Sequence, residues 1–89
     1  MADRLFLFLI AGMKRKKYYK DEKFLKKFGL NLRAIRKAKQ ISQEELAGES
    51  GFELSQIGRI ERGEVNTSIS HVSAIAKALK VKPEELFQF

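Results

Sequence analysis

Eighty-nine residues allow one domain with a modest core, and 44% apolar content belongs to a folding chain rather than a disordered one. With no cysteine and a single histidine, disulfides, thiolate zinc sites and thiol catalysis are excluded, and no metal or other cofactor is expected. A net charge of +7 calls for a polyanionic partner; nucleic acid is the simplest, although an anionic membrane surface would attract the same charge.

Residues 1–12 contain the apolar run Leu5-Phe6-Leu7-Phe8-Leu9-Ile10-Ala11. It is far shorter than the roughly 20 residues that span a bilayer as a helix, so no membrane insertion is expected. A secretory signal fits poorly as well, because Asp3 balances the charge ahead of the run and no small-residue cleavage pattern follows. Two readings stay open. Either Met13 is the natural start and the first twelve residues are an upstream extension, or Leu5 to Ile10 is a β-prone segment that pairs with its symmetry mate or covers a groove.

Lys14-Arg15-Lys16-Lys17-Tyr18-Tyr19-Lys20 follows, a basic run with two adjacent aromatics. Charge runs are usually solvated arms, and such an arm also suits contact with the phosphates or minor groove of a nucleic acid. The charge is uneven along the chain. Residues 13–27 hold eight Lys or Arg against two acids, whereas residues 28–89 hold nine against eight. The basic footprint therefore lies mainly ahead of the globular part, which divides the chain into an arm (1–23) and a domain (24–89).

From Asp21 the pattern turns helical, with Phe24, Leu25, Phe28, Leu32 and Ile35 at three- and four-residue steps. Gly29 costs this helix about 1 kcal/mol relative to Ala. Ser42 with Glu45 ahead of Leu46 and Ala47 is a capping box that opens a second helix. Ser50-Gly51 ends that helix after little more than two turns. A third helix places Leu54, Ile57 and Ile60 near one face and is closed by Gly63. Two short helices joined by a glycine-containing turn form a helix-turn-helix, whose second helix enters the DNA major groove. Ser55, Gln56, Arg59 and Arg62 point elsewhere than the apolar face, and such side chains bond to base edges or phosphates. On spacing alone, an ordinary helical hairpin with mixed surface charge fits nearly as well.

Ser68 is an N-cap for a helix whose Ile69, Val72, Ile75, Ala76 and Leu79 close the core, with His71 at its surface. Pro83 suits the first turn of a last helix, which ends in the apolar residues Leu86, Phe87 and Phe89. The expected fold is all-α, with about five short helices.

The segments Leu32-Arg33-x-Ile35-Arg36, Ser42 to Ala47, Ser50-Gly51, Ile57 to Gly63 and Ile75-Ala76-x-Ala78-Leu79 resemble the lambda-repressor-like helix-turn-helix family, also called the xenobiotic-response-element or Cro type. The likeness runs in register from Phe28 to Phe87. It implies a compact five-helix DNA-binding domain, here with an N-terminal basic arm, and a recognition helix over about 53–62. Its base-reading positions fall on Glu53, Leu54, Ser55, Gly58 and Arg59, with Gln56 near a phosphate. Gln43 would touch phosphate and brace the recognition helix, and Arg62, Asn66 and Thr67 would follow the backbone. Arg36 would pair with Glu61 and turn toward a phosphate. Leu86, Phe87 and Phe89 would lie at a dimer interface, which a palindromic operator would match. Glu53 and Leu54 depart from the commonest pattern and leave open that this face has turned toward a protein.

The function that follows is a cytoplasmic, non-enzymatic, sequence-specific regulator that binds double-stranded DNA as a homodimer. It is controlled by its own level, as restriction-modification controllers and phage-type repressors are. The alternative is an antitoxin that binds a toxin through the first 27 residues and represses its own operon.

Overall fold

The computed structural model describes residues 2–14 and 19–89. Five α-helices and a 3₁₀ segment follow one another: α1 (Ala2–Lys14), α2 (Glu22–Ala38), α3 (Gln43–Ser50), α4 (Leu54–Glu61), α5 (Ile69–Leu79), then Pro83–Phe87. The all-α expectation holds, and no strand occurs among the described residues. The last expected helix is the 3₁₀ segment, opened by Pro83 and by the Lys82 amide, which donates to the Glu85 carboxylate at 2.7 Å. The arm-domain boundary drawn at residue 24 falls inside α2. Lys14 is the last residue of α1, and most of the rest of the basic run lies outside the described residues.

Leu5 to Ile10 forms part of a helix, not a β-prone segment. Leu and Phe tolerate either conformation, and no strand is at hand to satisfy an extended backbone. Leu5, Phe6, Leu7, Phe8 and Leu9 are all more than half exposed.

Local chemistry opens α2, α3 and α5 and closes α3. The Asp21 carboxylate accepts from the Phe24 amide at 3.1 Å and opens α2. At α3, the Glu45 amide donates to Ser42 Oγ at 3.0 Å while Ser42 donates its amide to Glu45. Gly51 takes the left-handed conformation at φ 79°, and the Phe52 amide returns to the Ala47 carbonyl, which turns the chain sharply into α4. Ser68 Oγ accepts from the His71 amide and opens α5.

Phe28 and Leu32 of α2, Leu46 and Ala47 of α3, Ile57 and Ile60 of α4, and Val72, Ile75, Ala76 and Leu79 of α5 form one core with Leu86. Ile69 does not join it. Placed in the first turn of α5, it is 88% exposed, since the core face of α5 begins one turn later at Val72. Gly29 allows the closest approach of two helices. A Cβ there would lie 2.6 Å from the Ile60 carbonyl oxygen and closer still to that of Glu61. The glycine that weakens α2 locally is thus what lets α4 end against it.

Candidate nucleic-acid interface

Within α4 the buried and exposed positions separate cleanly. Ile57 and Ile60 anchor the helix in the core, while Glu53, Leu54, Ser55, Gln56, Arg59 and Arg62 face solvent. Leu54, expected on the apolar face, is 44% exposed and belongs to the outward first turn instead. Gln56 Oε1 accepts the Glu53 amide at 2.9 Å, so this side chain closes the helix start while lying on the outward face. Gly58 is not part of that face. It is buried under Arg62, whose guanidinium would sit 2.9 Å from a Cβ at this position.

The helix is held from behind by a buried ionic cluster. Arg36 Nε and Nη2 donate to the Glu61 carboxylate at 2.6 and 3.0 Å, and Arg36 Nη1 donates to the Ile41 carbonyl at 2.8 Å. Gln43 Nε2 donates to the same carboxylate at 2.9 Å. The side chains of Arg36 and Glu61 are 8% and 3% exposed. The pair is a buried bidentate bridge. One expectation is corrected: Arg36 is turned inward by Glu61 and Ile41 rather than toward a phosphate. The Glu61 hydrogen bond, outweighing burial, raises the Arg36 pKa, so the guanidinium keeps its charge in the interior. Together the three side chains tie α2, α3 and α4 into one block.

The loop after α4 departs from expectation in a different way. Asn66 Nδ2 donates to the Tyr19 carbonyl at 2.9 Å, and Lys20 Nζ donates to the Glu64 carbonyl at 2.7 Å. The end of the arm is therefore docked on this loop, a relation across more than forty residues that no local pattern announces. Thr67 turns its hydroxyl inward, where among the described residues it finds no hydrogen-bond partner, so it offers nothing to a phosphate. Gln56, Arg59, Asn66 and His71 line a shallow cleft of about 200 Å³ between α4 and this loop. His71 also packs edge-on against Phe52 at 4.7 Å, a surface packing role.

Of the three C-terminal residues assigned to a dimer interface, Leu86 is fully buried in its own core and has no surface to offer. Asn31 donates to the carbonyls of Glu85 and Leu86 at 3.0 and 2.9 Å and pins the 3₁₀ segment on α2. Phe87 and Phe89 stay 42% and 51% exposed, and they form an aromatic cluster with Phe24 at centroid distances of 6.2 and 5.3 Å.

A short helix, a glycine turn and a second helix locked by a buried ion pair, with a polar face left outward, define a helix-turn-helix DNA-binding domain. The chain belongs to the helix-turn-helix family: the family model of that description matches residues 32–86. It is 43% identical over 63 residues to the control protein C.BamHI of Bacillus amyloliquefaciens, covering 70% of this chain and 78% of that protein. To the control protein C.SmaI of Serratia marcescens it is 39% identical over 56 residues, covering 63% and 67%. Among solved structures, the restriction-modification controller protein C.AhdI from Aeromonas hydrophila superposes with a TM-score of 0.70 at 48% identity, covering 71% of this chain and 96% of that one. Family membership makes the chain a DNA-binding transcription regulator and not an enzyme. Among the described residues no helix is long and apolar enough to cross a membrane.

Proposed function

We propose that this chain is a sequence-specific regulator of transcription that binds double-stranded DNA as a homodimer, with α4 in the major groove, and that its targets are promoters of a restriction-modification locus. The observation that carries the DNA-reading part is the state of α4, whose outward side chains take no part in the core while a buried bridge ties the helix to α2. A rigid, polar, half-exposed helix is what base reading requires. The choice of locus rests on likeness to C.BamHI and C.AhdI, which are named as control proteins.

In this reading Arg59 makes a bidentate contact to guanine, Leu54 meets a thymine methyl and Glu53 accepts from a cytosine amino group. Ser55 reaches a base edge, Gln56 and Arg62 touch phosphates, and Gln43 and Asn66 do so with the second hydrogen of amide groups whose first goes to Glu61 and the Tyr19 carbonyl. The dimer forms through the half-exposed Phe24, Phe87 and Phe89, which adjoin an apolar groove reaching to Ile69. Its two-fold symmetry matches a palindrome with half-sites one helical turn, about 34–36 Å, apart. The protein acts in the cytoplasm, where its DNA is. The antitoxin alternative gains no support, since the relatives above are named as control proteins.

Footprinting on the DNA upstream of its own gene at two salt concentrations tests the proposal. Protection of a two-fold symmetric site that survives the higher salt is the expected result. Weak binding of equal strength on all sequences, lost with salt, would overturn it.

A further inference from the structure

The loop after α4 carries a charged cluster that base reading does not use, assembled from three separate parts of the chain. Arg62, just past the end of α4, donates Nε to one Glu64 carboxylate oxygen, and its Nη2 lies 3.5 Å from the other. Lys20, from the arm, donates to the Glu64 carbonyl. Lys26 comes from α2, whose backbone passes so near Gly63 that a Cβ there would lie 2.7 Å from Lys26 Cα. These residues and Glu22 line an open cleft of about 180 Å³.

Glu64 is the odd member, an acid on a loop otherwise suited to phosphate. Arg62 above all, then Arg59 and Lys20, hold its carboxyl below the usual carboxylate range, so it is ionised at neutral pH. A carboxylate in the fork of a guanidinium uses the donors that a phosphate would use. The bond is also easily exchanged. The Arg62 and Glu64 side chains are 60% and 49% exposed, and exposed ion pairs hold weakly.

We propose that the lip formed by Lys20, Lys26 and Arg62 is a DNA backbone-phosphate site, and that Glu64 occupies it in the free protein in place of the phosphate. Binding DNA then exchanges one anion for another at Arg62. Glu64 thereby lowers the affinity for every duplex equally, and the contacts of α4 supply a larger share of what remains. This inference rests on the DNA-binding reading above.

The test is fluorescence anisotropy with the full chain on two duplexes, one from upstream of its own gene and one scrambled, across a salt series. E64Q, with E64A as a second removal of the charge, is expected to bind both duplexes about fivefold more tightly. The slope of log K against log salt should steepen by about 0.9, the value of one more phosphate contact. The gain should vanish in a K20A/R62A background. An unchanged affinity in both Glu64 variants, with wild-type binding intact, would overturn this inference alone. A gain that survives in full without Lys20 and Arg62 would also overturn it, because Glu64 would then only repel DNA at a distance. Failure of wild type and both variants to bind any duplex would overturn the DNA-binding reading and this inference together.

Discussion

Two residues show how a local penalty turns into a tertiary requirement. Gly29 gives up about 1 kcal/mol of helix propensity, so Gly29→Ala on an isolated helix would stabilise. Here the new Cβ would strike the backbone carbonyls that end α4, and overpacking against a rigid backbone costs about 1–3 kcal/mol or more. The expected outcome is net destabilisation, read as a lower urea midpoint; a raised midpoint would mean that α2 and α4 can move apart freely. Glu61 sits at the other side of the same contact. Glu61→Ala leaves the Arg36 guanidinium buried and takes away the acceptor of Gln43, a loss of about 3–5 kcal/mol. Chemical denaturation at neutral pH measures it, and a loss under ~1 kcal/mol would show that water reaches the pair.

At the scale of the element, α4 is short, with only eight residues, and could not hold its shape alone. Its start is closed by Gln56, its apolar side by the core and its end by Glu61, which leaves Ser55 and Arg59 outward. Arg59→Ala should cost about 1–3 kcal/mol on the operator and relax the preference at one base pair, with little change in salt slope. A binding-site selection experiment that returns an unaltered consensus would remove Arg59 from base reading. The 3₁₀ segment works by a different logic. Leu86 plugs the core and Asn31 caps its carbonyls, which leaves the flanking aromatics at the surface.

At the scale of the molecule, those aromatics are the proposed seam between two copies. Replacing Phe87 and Phe89 by Glu keeps Leu86 in place and sets like charges against each other across a two-fold axis. Sedimentation should then show a monomer that is still helical by circular dichroism, with operator affinity reduced and, because Phe87 also packs on Phe24 and Phe28, the thermal midpoint lowered. Dimers that persist would move the interface elsewhere. Along α1, Leu5 to Leu9 are exposed, and the family match begins only at residue 32.

Much of the fold could be read directly from the chain, because caps, glycine stops and apolar spacing act over three or four residues. The capping box at Ser42 and Glu45, the turn at Gly51, the N-cap at Ser68 and most of the core faces of α2, α4 and α5 are of this kind, while Leu54 and Ile69, expected on those faces, stand exposed. The partnership of Arg36 with Glu61 was legible only through family resemblance, and its burial was not legible at all. What the tertiary structure decided are relations between distant segments. Gly29 is required by α4, Thr67 and Gly58 are withdrawn from the outward surface of α4 and its loop, Leu86 is committed to the core, and Lys20 and Asn66 fasten the arm to the loop. The physical reason is range: hydrogen bonds along a helix are set by neighbours in sequence, whereas burial and ion pairing depend on which backbones approach, and only packing determines that.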